Sequence, residues 1–342
     1  MTESKSTVSA TPSTEVSMQV ALNLALEHAL AEDDRTLVFG EDVAKLGGVF
    51  RVTDGLQEKF GIDRVFDSQL AEASIIGMAV GLALHGYLPI PEIQFDGFAY
   101  PAMNQIVTQM ARMNYRSRGA APMPITLRLP SFGGIRAPEF HGESLESLLA
   151  HVPGLKVVSP SSPNEAYQLL RQSIADPDPV IFMEPKARYW NKAAFDPGVP
   201  VSDYLPIGTS RVVRSGKHVT LIAWGAMVAK CLQAAELAEE DGVEIEVLDL
   251  RWLKPIDAAG LEESVSRTKR AVVVHEAPLS GGLGGEVSTI VTERCFDSLR
   301  APVQRVAGYD VPYPSGALED QYLPSVNRIL TAVQRVLEYR RG

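Results

Sequence analysis

Two rhythms of apolar residues alternate along the chain. Segments 18–31, 53–60, 72–85, 98–116, 143–151 and 163–175 carry apolar side chains at helical spacing, whereas 36–39, 88–93, 125–129, 156–159 and 180–183 are short runs of strand length. Helices and strands that take turns in this way predict a parallel sheet covered by helices on both faces. Ligands of such sheets bind beyond the carboxyl ends of the strands. Between 185 and 208 the pattern lapses, with Pro185, Pro197, Pro200 and Pro206 among mixed polar residues, and a linker is expected. Alternation then resumes, with strands at 218–224, 243–250, 271–275 and 303–306 and helices at 226–240, 257–266 and 283–296. The expected fold class is α/β, with two doubly wound domains at 17–184 and 209–342 and a disordered tail at 1–16.

Length and composition agree with two soluble domains: 342 residues, 45% hydrophobic and 22% charged. No apolar run approaches the roughly eighteen residues of a membrane span. The Ser- and Thr-rich start, Met1 to Glu15, has neither the apolar segment of a secretory signal nor the Arg-rich face of a transit peptide, which suggests a cytoplasmic protein. A formal charge of −10 argues against nucleic-acid binding. Arg112, Arg116 and Arg118 cluster locally and read as the charged end of a helix or a subunit contact. Cys231 and Cys295 match no metal spacing and are expected as buried free thiols.

Candidate chemistry gathers at predicted strand ends. The strand at 36–39 runs into Gly40-Glu41-Asp42, and the strand at 88–93 into Gln94-Phe95-Asp96-Gly97-Phe98. Glu72 opens an apolar helix, where free N–H groups and the helix dipole favour a carboxylate while apolar surroundings oppose ionisation. Such a proton can be held near neutral pH, although a Glu placed there only by the dipole would look the same. Two acids, an amide and a flat ring together suit a heteroaromatic ligand. His141, in a polar loop before a helix that Ser144 could cap, is available for proton transfer, as an inert surface histidine would also be. The segment Ser280-Gly281-Gly282-Leu283-Gly284-Gly285-Glu286 lacks dinucleotide spacing and reads as a tight turn into a helix. Phosphate-loop, zincin, C-x-x-C and nucleophile-elbow motifs do not occur.

These residues resemble a known family. Gly40-Glu41-Asp42-Val43, Gly48-Val49-Phe50-Arg51-Val52-Thr53, Leu70-Ala71-Glu72, Pro91-Glu92-Ile93-Gln94-Phe95, His141 in its loop, Phe182-Met183-Glu184-Pro185-Lys186, His275-Glu276-Ala277-Pro278 and Gly308-Tyr309-Asp310 are similar, in order and spacing, to the β subunits of thiamine-diphosphate-dependent 2-oxo acid dehydrogenases. The resemblance implies a pyrimidine-binding domain followed by a transketolase C-terminal-like domain, joined to an α subunit in an α2β2 assembly. It implies that Glu72 hydrogen-bonds N1′ of the cofactor's aminopyrimidine, that Leu70 and Gln94 line its pocket, that Phe98 stacks on it and that Glu41 supports it. His141 would assist acyl transfer to the lipoyl group of an acyltransferase core. A potassium ion near Ile125, Thr126, Ser173, Asp176 and Asp178 is implied as well, held largely by backbone carbonyls. The Gly-Asp-Gly and distant Asn that hold magnesium and diphosphate are missing, so Mg2+ is expected on the α subunit. Two positions depart from the family pattern: Gly142 stands where serine is usual and Phe98 where tyrosine is common. Ile93-Gln94-Phe95 and Ala223-Trp224-Gly225 resemble the branched-chain members, which points to 3-methyl-2-oxobutanoate over pyruvate as substrate.

Overall fold

The structure, a computed structural model, describes residues 14–340. The first domain is built on a seven-stranded sheet of order β12-β6-β7-β5-β4-β2-β3. Its strands are β2 (Thr36–Gly40), β3 (Val65–Asp67), β4 (Leu88–Glu92), β5 (Thr126–Ser131), β6 (Lys156–Val158), β7 (Val180–Pro185) and β12 (Trp252–Lys254). All pair in parallel except β12, which runs antiparallel to β6. Strands β2, β5 and β7 are buried along their whole length, as a sheet covered on both faces requires.

The covering helices follow local signals. Ser17 caps α1 (Met18–Glu32), accepting from the Val20 N–H at 3.3 Å, and Ser162 with Pro163 starts α7 (Pro163–Ile174). Met18, Leu22, Leu26 and Leu30 form the buried face of α1 and share one core cluster with Ala166, Tyr167, Leu169 and Leu170 of α7. Each large aliphatic side chain buried there contributes about 1.5–3 kcal/mol. On the other face lies α3 (Glu72–Leu84), which buries Ile75, Ile76, Ala79, Val80 and Ala83. The short helix α6 (Glu146–His151) joins this layer, whereas α2 (Leu56–Phe60) packs Leu56 into the cluster of α1 and α7. The helix expected at 98–116 is a composite: a 3-10 stretch Asp96–Ala102, α4 (Met103–Gln105), a π turn Ile106–Met110 and α5 (Met113–Arg116). Pro101, which cannot donate a backbone hydrogen bond, lies in the 3-10 part. Ser144 does not cap α6; Leu145 precedes its first residue.

The second domain carries a five-stranded sheet, β14-β13-β10-β11-β9, formed by β9 (Arg211–Arg214), β10 (Val219–Ala223), β11 (Ile245–Asp249), β13 (Ala271–Pro278) and β14 (Gln304–Gly308). Helices α8 (Met227–Glu240), α9 (Ala258–Thr268), α10 (Gly284–Cys295), α11 (Glu319–Tyr322) and α12 (Val326–Glu338) pack around it. The glycine-rich segment is a turn into α10: a Cβ on Gly282 or Gly284 would come within 2.6 Å or 2.4 Å of the His275 ring. Cys231 and Cys295 are buried free thiols. No helix among the described residues is long and apolar enough to cross a membrane.

Both boundary expectations need correction. Residues 14–16, assigned to the tail, belong to β1 (Thr14–Ser17), which pairs with β8 (Lys192–Phe195) inside the expected linker 185–208. Backbone pairing, which composition does not reveal, orders both segments, and Lys186 and Tyr189 are fully buried. The remainder of the tail, 1–13, lies outside the described residues. The two domains also share material. Strand β12 returns from the second domain to the edge of the first sheet, and one core cluster joins Leu127 and Met183 with Ile222, Leu248 and Val273.

Candidate active site

Parallel β2, β3, β4, β5 and β7 deliver their carboxyl ends to one edge of the first sheet, and the candidate residues collect there. Glu41 follows Gly40 at the end of β2, where a Cβ on Gly40 would stand 2.5 Å from the Glu92 carbonyl oxygen. Glu41 is 6% exposed, and its Oε1 has no hydrogen-bond partner. Burial pushes its carboxyl up to about 7, with the charges of Glu72, Asp42 and Glu92 adding to the effect. Glu72 is the first residue of α3, where no side chain caps the free N–H groups. It is half-buried. Burial thus holds the Glu41 carboxyl protonated toward neutral pH.

Gln94, expected to line the pocket, is pinned by its amide nitrogen, which donates to the Glu41 carbonyl at 3.3 Å and to Asp42 Oδ2 at 3.0 Å. Phe98 is half-buried and stands edge-on to Phe95 and His141, with ring centroids 5.5 Å and 5.0 Å away; the Phe95 and His141 centroids are 4.4 Å apart. His141 Nδ1 lies 2.9 Å from the Glu139 carbonyl oxygen. A carbonyl only accepts, so Nδ1 carries a hydrogen and Nε2 is the ring nitrogen left free of that bond. Leu70 is 82% exposed, so this chain does not bury it in a pocket wall. Gly142 has a steric reason: a Cβ there would meet the Tyr313 ring at 2.3 Å.

Behind this edge lies a layer of buried charge that sequence reasoning missed. The Arg128 guanidinium grips Glu184 through Nε at 2.7 Å and through a second nitrogen at 2.9 Å, and also bonds Glu92. The Tyr189 hydroxyl donates to Glu184 at 2.6 Å. Asp96 accepts from the Phe132 N–H at 3.1 Å and lies 3.4 Å from the Lys186 ammonium. Burial holds the Asp96 carboxyl up near 6, against the pull of that ammonium. From the second domain, Glu276 accepts the Gly133 N–H at 2.9 Å; its carboxyl is raised to about 7, mainly by burial. The available signal was the fully buried character of strands that nevertheless contain Arg128 and Glu184, since buried charges require partners.

Ile125, Thr126, Ser173, Asp176 and Asp178, the expected potassium residues, do converge at the opposite corner of the sheet. Val180 N–H donates to the Ile125 carbonyl at 2.9 Å, and Asp176 N–H to the Ser173 carbonyl at 3.2 Å. Thr126 pairs with Val180 across β5 and β7. The two carboxylates are bridged by the Lys156 ammonium, at 2.7 Å from Asp176 and 3.0 Å from Asp178. Among the described residues no group of three or more His, Cys, Asp or Glu is arranged to hold a metal ion. With its acids already paired, this corner fits a cation only through carbonyl oxygens.

Both domains match family models, "Transketolase, pyrimidine binding domain" over residues 14–191 and "Transketolase, C-terminal domain" over residues 208–329. A solved structure, "Split gene transketolase, inactive beta4 tetramer", superimposes with a TM-score of 0.77 at 26% identity, covering 95% of this chain and 99% of that one. Fold and site thus define a thiamine-type, transketolase-like protein. The pyruvate dehydrogenase E1 component subunit beta of Leifsonia xyli is 50% identical over 322 residues, 94% of this chain and 95% of that protein. The 3-methyl-2-oxobutanoate dehydrogenase subunit beta of Mycobacterium tuberculosis is 50% identical over 323 residues, 94% and 92% of the two chains. The chain belongs to the β subunits of the thiamine-diphosphate-dependent 2-oxo acid dehydrogenases.

Proposed function

We propose that this chain, joined to an α subunit in an α2β2 tetramer, decarboxylates a branched-chain 2-oxo acid and passes the acyl group to the lipoyl group of an acyltransferase core. The observation that carries the reading is the carboxyl pair at the strand ends. Glu41 is buried with an unpartnered oxygen, and the charge of Glu72 at the start of α3 helps hold it protonated. Together the pair can keep one proton and offer it to a ring nitrogen near neutral pH. Thiamine diphosphate, when bound, supplies the nucleophilic carbon that cleaves a 2-oxo acid. Glu72, at the helix start, holds a proton against the aminopyrimidine, and Glu41 backs it. Gln94 fixes the turn that carries Glu41, and Phe98 gives the ring a flat face. His141, its Nδ1–H engaged by the Glu139 carbonyl, accepts or returns a proton through Nε2 during acyl transfer.

The α subunit carries the magnesium and diphosphate contacts in this reading. Exposed Leu46, Val49 and Leu70 on the segments flanking Glu41 and Glu72 support a second chain closing the site. Carbonyls near Ile125 and Ser173 remain the place for a potassium ion, with Lys156 beside it. The pyruvate reading has its own support, since pyruvate dehydrogenase β subunits stand among the relatives at 50% and 46% identity.

The test is oxo-acid-dependent reduction of an artificial acceptor by the chain assembled with its α partner. We expect faster turnover of 3-methyl-2-oxobutanoate than of pyruvate, and loss of turnover in an assembled Glu72→Gln variant. Full activity of that variant refutes the proton role; a preference for pyruvate refutes the substrate assignment alone.

A further inference from the structure

His141 sits in a loop whose backbone most side chains avoid. Phe132, Gly134, Arg136 and Phe140 have φ of 69°, 92°, 53° and 66°. For the three non-glycine residues this left-handed conformation is strained, and it persists only where the surroundings over-determine it. The second domain supplies those surroundings. Glu319, 2% exposed, accepts the Gly134 N–H at 2.8 Å on Oε1 and the Arg136 N–H at 2.8 Å on Oε2. The Tyr313 hydroxyl donates to Oε1 of the same carboxylate. The Tyr313 ring covers the two glycines that bracket the loop, so closely that a Cβ on Gly133 would come within 1.8 Å of its hydroxyl oxygen and one on Gly142 within 2.3 Å of a ring carbon. On the opposite side the Phe140 carbonyl lies against Gly97, where a Cβ would be 2.0 Å from its oxygen. The loop is thus clamped between the Asp96–Ala102 turn and the second domain, and His141 emerges from the clamp beside Phe95 and Phe98.

We propose that Glu319 is a positioning residue for His141. It takes two backbone N–H groups of the strained loop at once, and so holds the imidazole against its aromatic wall in the one arrangement from which Nε2 faces the site. Glu276 binds the loop too, but only through Gly133, at its start. Glu319 grips residues on both sides of Ile135 and is itself oriented by Tyr313. The outer ion pair, Arg136 with Asp320, is more than half exposed on both sides and adds little. The inference rests on the acyl-transfer role given to His141 above.

The test uses the enzyme reconstituted with its α partner and a lipoyl domain. Hydrogen exchange at residues 133–142 is measured alongside two rates, dye-coupled decarboxylation and acylation of the lipoyl domain. In Glu319→Ala the loop amides exchange roughly tenfold or more faster. Lipoyl acylation falls roughly 10- to 100-fold, the cost of a reacting group displaced by about an ångström, while decarboxylation falls much less. Glu319→Gln, which keeps one acceptor oxygen, recovers part of the loss. Adding His141→Ala to Glu319→Ala costs little more, because both changes remove the same group from the reaction. Wild-type acylation in Glu319→Ala, an equal fall in both rates, or full additivity with His141→Ala overturns the proposal. If Glu319→Ala does not assemble, Glu319→Gln and Tyr313→Phe carry the same readouts. Slow acylation in His141→Ala beside normal acylation in Glu319→Ala sinks the positioning role alone. Normal acylation in His141→Ala sinks the role of His141 and this inference with it.

Discussion

Replacing Glu41 with glutamine tests the shared-proton reading without any partner subunit. The carboxyl rises from its ordinary 4.5 to about 7 in the folded chain, so folding takes up a proton across that interval. Since the folded state binds the proton more tightly, stability is greatest near and below pH 4.5, falls as pH climbs toward 7 and is level beyond it. Fully expressed, that difference amounts to about 3 kcal/mol. Glu72 on the near side is half-exposed and lets solvent share the field, so roughly half, about 1–2 kcal/mol, is the expected loss. Urea unfolding of the wild-type chain and of Glu41→Gln, each at pH 5 and pH 8, reads it as the extra fall in the wild type. Glutamine keeps the volume and cannot titrate, so its stability should change less over the same interval. A Glu72→Gln chain should show the Glu41 transition at lower pH, because one of the charges that raise it is gone. Parallel pH profiles for wild type and Glu41→Gln would refute the tuned carboxyl, whatever the activity of the assembled enzyme.

Two further outcomes follow from the buried layer. Arg128→Leu strands Glu92 and Glu184, both nearly or wholly buried, and should lower unfolding stability by roughly 3–5 kcal/mol, measured by denaturant titration; a loss under about 1 kcal/mol would mean that the carboxylates find water or other partners. Gly97→Ala drives a methyl group into the Phe140 carbonyl and should slow lipoyl acylation in the assembled enzyme at a stability cost of about 1–3 kcal/mol; unchanged acylation would show that the loop can shift without moving His141.

The alternation of apolar rhythms was sufficient for the α/β class because each pattern reports a local choice that burial enforces. The same local pattern placed the starts of the helices at 18 and 163, which Ser17 and Ser162 cap in the structure. What local pattern missed were elements made by distant pairing. Strand β1 exists because residues 14–17 meet 192–195, and β12 because three residues of the second domain fit the edge beside β6. Among candidate residues, Glu41, Gln94, Phe98 and His141 could be proposed because each follows a strand end. Glu319 could not, since nothing in Ala317-Leu318-Glu319-Asp320 shows that the chain will bring a carboxylate back to a loop some 180 positions earlier.

Sequence by itself determined the alternation of helices and parallel strands, the strand ends where candidate chemistry collects and, through its motifs, the family. The tertiary structure alone decided that the Glu41 carboxyl is buried and which domain braces His141. Proton affinity depends on burial and on neighbouring charge, and a strained loop depends on what grips it. Both are properties of positions in space, which residues far apart along a chain acquire only when it folds.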